Sequence, residues 1–284
     1  MIGPIAAFLA MISWSISPIA YKYLVERYDP IMVNAIRITF TLPVLIPLLA
    51  SERTVFVRED EFLILIALAI IGPGIADTLF IKSLELIGAS IATPISYTYV
   101  LFVDIVAIFI FNEEATYNIL LGSLLVIVGA SVLSKGENKS TNAALGLGVA
   151  LAVLAAISWT FSITLLKIAL TTTSPVLITF YRTLIIMIIL DAYVILKGRY
   201  RILRGVSAFE ALVGMIGGAS GIGFGLILYL IAIEYLGIAQ ATVVVSGSIM
   251  ITELLAALIS KERLGLIKYL GALLISIGIY MASI

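Results

Sequence analysis

Ten uninterrupted apolar stretches fill nearly the whole chain, at about residues 4–25, 30–50, 62–82, 90–111, 117–134, 145–170, 175–196, 209–233, 238–260 and 265–283. A helix needs about 20 apolar residues to cross the hydrocarbon of a bilayer, so most of these runs are one crossing long. Their polarity does not alternate, which excludes a transmembrane barrel built from strands of ~10 residues. The connectors are short, and none could hold a soluble domain. Charge agrees with this: 12% of the residues are charged and 62% hydrophobic, against about 25% charged in an ordinary soluble domain. The first run begins at Ile2 with no basic residue before it and no small-residue cleavage site before the polar break at 26–30. It is expected to stay as the first span rather than be removed as a signal peptide.

Composition also removes whole classes of chemistry. The 17 basic and 17 acidic residues cancel, leaving no basic surface for nucleic acid. There is no Cys and no His, so disulfides, thiolate metal sites, Cys or His nucleophiles and His proton relays are absent. No metal or cofactor is expected. Neither HExxH nor GxSxG occurs, so an enzyme is not expected either.

The longest polar connector, KGENKSTNAA (135–144), sits at the midpoint and separates two related halves, 1–134 and 145–284. A shift of 145 places Ala7 and Ala10 on Ala152 and Ala155, Ser13-Trp14 on Ser158-Trp159, and Ser17 on Ser162. It also places Lys22 on Lys167, Pro30 on Pro175 and Arg37 on Arg182. After a four-residue insertion the shift becomes 149, and Gly72, Gly74, Glu85, Gly88 and Thr93 fall on Gly221, Gly223, Glu234, Gly237 and Thr242. The same register pairs Asp104 with Glu253, Glu113 with Glu262, Gly122 with Gly271 and Gly129 with Gly278. Five helices per half is an odd number, so the second half enters the membrane upside down relative to the first. Two inverted halves around a midplane site are the architecture of alternating access.

These residues resemble a known family. SW near the start of each half, YDP…R and TSP…R entering the second helix of each, and FNEEATYNILLGSLLVIVG and ISKERLGLIKYLGALLISIG closing each half are similar to the EamA branch of the drug/metabolite transporter superfamily. The resemblance spans nearly the whole chain. It implies ten helices around a central cavity formed by the first four helices of each half, with the fifth and tenth peripheral. It also implies transport of amino acids or other metabolites, or of sugars and nucleotide-linked compounds.

Two acids lie in mid-span at equivalent positions, Asp104 and Glu253. A charge at the bilayer centre costs ~2.5–3.5 kcal/mol, so each must face protein or a wet cavity. Thr93, Tyr97, Val100 and Asp104 share one helical face, and Thr242, Ser246, Ile249 and Glu253 repeat it. The two stripes are expected to face each other along the transport path, with the acids coupling to H⁺ or Na⁺; a buried acid paired locally is the alternative. Asp77, in GPGIADTLF, has Leu226 as its repeat mate and is a specialisation of one half. It is read as an ion-coupling residue or a polar interhelical contact. Arg37 and Arg182 lie about 10 Å inside their helices. They either snorkel to the interface, pair with an intramembrane acid, or grip a substrate carboxylate, with Asn34 and Tyr181 near enough to join. Trp14 and Trp159 are too deep for an interfacial belt, so they are cavity walls or helix packing. Lys22 and Lys167 are expected to snorkel, and Glu85 and Glu234 to belong to turns. GGASGIGFG (217–225) reads as a close helix contact. Five prolines in first-half spans predict more kinks there.

Both termini lie on one side, here the terminal side; the other is the linker side. Twelve Lys and Arg fall on the linker side, four of them in KGRYRILR (197–204), against three on the terminal side. The positive-inside rule then puts the termini outside, whereas the family pattern has them in the cytoplasm. The chain is thus expected to be a multi-pass protein of the cell membrane, monomeric or weakly dimeric, that carries a small polar metabolite such as an amino acid by proton-coupled alternating access. A lipid flippase and a passive facilitator are the alternatives.

Overall fold

The computed structural model describes residues 1–114, 116–133, 142–260 and 265–284. Ten apolar helices follow one another: α1 (Ile2–Val25), α2 (Pro30–Ser51), α3 (Glu59–Ile87), α4 (Ile91–Phe111), α5 (Tyr117–Leu133), α6 (Leu145–Ala169), α7 (Pro175–Leu196), α8 (Ala208–Leu236), α9 (Ile238–Ile259) and α10 (Leu266–Ser283). Among the described residues nine are long and apolar enough to cross a bilayer, and α5 is the shorter tenth at 17 residues. No strand occurs among the described residues. Residues 135–141 of the central connector and Glu262, the repeat mate of Glu113, lie outside the described residues, as do Lys135, Lys139, Lys261, Arg263 and the side chain of Lys22.

The motifs that open the second helix of each half have a mechanical meaning. Asp29 caps α2 by accepting from the Met32 amide, and Ser174 caps α7 by accepting from the Leu177 amide at 3.3 Å, each followed by proline at the first helical position. Asp29 also receives Arg199, which ties the α1–α2 turn to the α7–α8 loop on the linker side. Burial raises the Asp29 pKa, but the hydrogen bonds from Arg199 and Met32 outweigh it and hold the carboxyl below its ordinary value. A depressed folded-state pKa means stabilisation above the ordinary carboxylate range that fades as pH falls through the shifted value. Asp29→Asn is therefore expected to lower Tm at pH 7, with the gap to wild type starting to close below about pH 4.

The antiparallel relation of the halves is written in one helix pair. α5 and α10 pack along their length through glycines. A Cβ at Gly122 would meet the Gly278 carbonyl at 2.6 Å, and one at Gly129 the Gly271 carbonyl at 2.8 Å. Gly122 is equivalent to Gly271 and Gly129 to Gly278, so each glycine meets the mate of the other. Only a two-fold axis that inverts one helix against the other produces that exchange.

Helical irregularities also recur in register. α3 carries a π turn at Ile70–Ala76 and α8 one at Ala219–Gly223; α4 breaks after Ser96, and α9 breaks at Gly247. The first half alone adds a 3₁₀ ending at Ile46–Ser51, around Pro47. Proline marks the first-half irregularities, at Pro73 and Pro94; their mates are Ile222 and Val243, and the second-half irregularities hold glycine instead, at Gly221, Gly223 and Gly247. Kinking in the second half is thus greater than its proline count suggests.

The matched alanines Ala7, Ala10, Ala152 and Ala155 are wholly buried, letting α1 and α6 approach their neighbours, while Phe109 (78% exposed) and Leu258 (74%) point outward. Outward apolar bulk is what a lipid solvent selects.

Candidate functional site

A cavity of about 750 Å³ lies between the halves. α1, α2, α3 and α4 line it from the first half and α6, α7, α8 and α9 from the second; α5 and α10 contribute only Leu133 and Lys268. Its walls reach Gly88, Leu133 and Lys268, all within a turn of helix ends on the linker side. Toward the terminal side it stops at Leu166, which is 2% exposed. The mouth therefore opens to the linker side.

The terminal side is closed by polar contacts between the halves. Glu113, just after α4, accepts the backbone amides of Ile238 and Ala239 at 3.0 and 3.3 Å, capping α9, and sits 3.5 Å from Lys167. Gly237 is at φ +80, and a Cβ there would strike the Glu113 carboxylate, so the seal requires glycine. Lys167 thus pairs with an acid instead of snorkelling. Ser174 donates to Glu52 at 2.8 Å and Tyr181 to the Val55 carbonyl at 2.6 Å, further fastening this side.

Charge gathers in mid-cavity. Arg37, 7% exposed at its side chain, makes an ion pair with Asp77. Its Nε donates to Asn34 at 2.6 Å, and Asn34 donates in turn to the Pro73 carbonyl at 2.6 Å in the π turn of α3. The second Asp77 oxygen accepts from Trp159 Nε1 at 2.9 Å, across the boundary between the halves. On the matching side Trp14 Nε1 donates to the Gly221 carbonyl at 2.9 Å, while Ser17 and Tyr21 donate to that of Gly217 at 2.8 and 2.6 Å. These acceptors lie in or beside the π turn of α8, whose widened ring frees carbonyls for outside donors. A Cβ at Gly72 would lie 2.6 Å from Ser162 Oγ, and one at Gly221 2.6 Å from Ser17 Oγ. The glycine-rich segment is therefore a close contact of α8 with α1.

Several expected residues do line the cavity: Trp14, Trp159, Thr93, Tyr97, Asp77, Glu253, Arg37 and Arg182. Others are placed elsewhere. Asp104 is wholly buried and turns to α5, where Ser123 donates to it at 2.5 Å; its other oxygen has no partner among the described residues. The shared face assumed one continuous α4, but the helix is interrupted at Tyr97 and Thr98; Tyr99 still lines the cavity, whereas Val100, Val103 and Asp104 are buried outside its wall. Glu253 does reach the cavity, paired with Lys268 of α10 at 2.7 Å, so the two acids do not face each other. Thr242 is held by Tyr229 at 2.6 Å, and Ser246 bonds the Val243 carbonyl; both are buried beside the cavity rather than in its wall. Tyr181 is spent on the terminal-side seal. Asn34 stands behind Arg37 as its positioner.

The sequence reading missed Phe80, Tyr99, Tyr229, Ser248 and Lys268. The first four were findable, because Phe80 with Tyr229 and Tyr99 with Ser248 are repeat mates. Among the described residues no group of three acids converges as a metal site would require.

This arrangement defines a membrane carrier scaffold, and the comparisons agree. The EamA-like transporter family matches residues 1–135 and 146–284, one copy per half. The chain belongs to the EamA family, within the drug/metabolite transporter superfamily, and is a multi-pass integral membrane protein. An uncharacterized transporter of Archaeoglobus fulgidus is 30% identical over 194 residues, covering 67% of this chain and 68% of its own. Another, of Clostridium kluyveri, is 23% identical over 145 residues, 50% of this chain and 46% of its own. A solved crystal structure superposes with a TM-score of 0.80 at 16% identity, over 99% of this chain and 96% of that one, which shows the fold.

Proposed function

We propose that the protein is a secondary-active transporter that carries small polar metabolites by alternating access between its inverted halves, coupled to protons through cavity carboxylates. The reading is supported above all by one cavity walled by both halves, open to the linker side and shut on the terminal side. Since each half is an inverted copy of the other, exchanging their conformations would shut the first mouth and open the second. Asp77 is the strongest coupling residue because it holds Arg37 in its own half and Trp159 in the other. Adding a proton there weakens a contact between the halves, and only such a differential interaction lets an ion bias a conformational equilibrium. Glu253, paired with Lys268 near the mouth, is the second.

The chain contains no cysteine, so single cysteines report without background. Leu84→Cys lies in the wall near the mouth, and Leu166→Cys at the sealed end. With impermeant thiol reagents on either face of proteoliposomes, Leu84→Cys should label from the linker side, Leu166→Cys should gain labelling from the terminal side when the seal opens, and conditions that slow the first should speed the second. Simultaneous labelling from both sides would indicate a passive pore. Permanent protection of Leu166→Cys in a folded, reconstituted protein would refute alternating access.

A further inference from the structure

The two arginines of the cavity occupy equivalent positions but are not equivalently satisfied. Arg37 has Asn34 on its Nε and Asp77 on its guanidinium. At Arg182 both partners are gone. Asn34 is replaced by its mate Thr179, whose hydroxyl is spent on the Pro175 carbonyl at 2.8 Å, and Asp77 by Leu226. Arg182 nonetheless lines the cavity; its Nε is buried without a hydrogen-bond partner, and it forms no ion pair among the described residues. The residue is half-buried, with its Nε shut off and the side chain on the cavity wall, so a partly desolvated guanidinium without a counter-ion gains when an anion in the cavity meets it.

The remaining cavity charges are already matched. Both Asp77 oxygens are engaged, by Arg37 and Trp159, and Glu253 is held by Lys268. Arg37, Arg182 and Lys268 against Asp77 and Glu253 leave one positive charge in excess among the described lining residues. The aromatic walls, Trp14, Phe80, Tyr99, Trp159 and Tyr229, suit a planar or apolar body.

We propose that the cargo is an organic anion whose carboxylate binds Arg182, supplying the acid that the second half lacks, with its body held between the aromatic walls. This deepens the transporter reading and rests on it. It also departs from an amino acid as cargo: an ammonium group would need an uncommitted carboxylate, and neither lining acid is uncommitted. A planar guanidinium favours bidentate carboxylate recognition, which a lysine ammonium does not reproduce.

Both tryptophans of the chain line the cavity, so intrinsic fluorescence of the full chain in nanodiscs reports its occupancy. The probes are 3-phenylpropanoate, its neutral amide and zwitterionic phenylalanine, which share one ring. Wild type should give saturable quenching by the carboxylate, about tenfold or more tighter than by the other two. Arg182→Gln should bring the three within about threefold, and Arg182→Lys should keep part of the preference. Should Arg182→Gln not fold, the wild-type ratio and the lysine variant still decide. Wild type treating carboxylate and amide alike, bound or unbound, would overturn the proposal, as would a preference for phenylalanine or one that survives in Arg182→Gln. Carboxylate-selective binding in a protein whose labelled cysteines never exchange sides would instead keep the anion site and sink the transporter reading.

Discussion

Replacing Asp77 with leucine, the residue its repeat mate already carries, should be among the most damaging single changes in the chain. It leaves the Arg37 guanidinium, 7% exposed, without a counter-charge, and frees Trp159 Nε1 from its acceptor. Breaking a buried ion pair from one side costs about 3–5 kcal/mol, because the orphaned charge stays out of water. Arg37→Met should cost less: the Asp77 side chain is 22% exposed on the cavity wall, where water can reach it, and it keeps the Trp159 bond. The double variant Arg37→Met/Asp77→Leu should recover most of the loss, since a pair replaced by apolar groups of similar size is often neutral in stability. Thermal unfolding of the purified protein gives all four corners of the cycle, and a large favourable coupling energy is expected. Mild, additive single effects would show that the pair does not organise the cavity. The double variant separates structure from mechanism, because it should fold while no longer responding to a proton gradient.

The sequence reveals more of the architecture than of the site, and the reason is geometric. Bilayer thickness fixes helix length, so ten spans can be counted directly, and an odd number per half leaves no choice but inversion. Depth along a helix is partly readable: Trp159 is too deep in its helix for an interfacial belt and Arg37 lies about 10 Å inside its own, and both line the cavity. Azimuth is harder. The face of Asp104 depends on whether α4 runs unbroken past Tyr97, and a one-turn irregularity there exchanges a cavity position for a contact with Ser123. The fate of Tyr181 depends on where the α2–α3 loop passes, because the Val55 carbonyl takes its hydroxyl. Lys268 has no local signal at all; only the meeting of α9 and α10 makes it the partner of Glu253. The repeat is the better guide to such sites, since comparing mates exposes Leu226 and Thr179 as the missing partners of Arg182.

Alanine at any of the four glycines between α5 and α10 should separate those helices, and the pattern of double variants should report the inverted symmetry directly. Cβ atoms at Gly122 and Gly278 would each lie 2.6 Å from the other's carbonyl oxygen, and those at Gly129 and Gly271 each 2.8 Å from theirs. The obstacle is backbone, which no rotamer change can move, so the helix axes must part. Overpacking of this kind costs about 1–3 kcal/mol per site. Once Gly122→Ala has opened its crossing, Gly278→Ala at the same crossing meets room already made, so that pair should cost much less than the sum. Gly122→Ala with Gly271→Ala strikes both crossings and should come close to the sum. Equivalent positions in the two halves would thus add, while non-equivalent ones would not, and a parallel arrangement of the halves would give the reverse. Thermal unfolding measures both pairs. Gly271→Ala carries a further consequence, because it lies one helical turn from Lys268: displacing α10 pulls that ammonium from Glu253, 2.7 Å away, and loosens the cavity mouth. Cysteine labelling at position 84 should then accelerate, while labelling from the terminal side at the Glu113-sealed end slows.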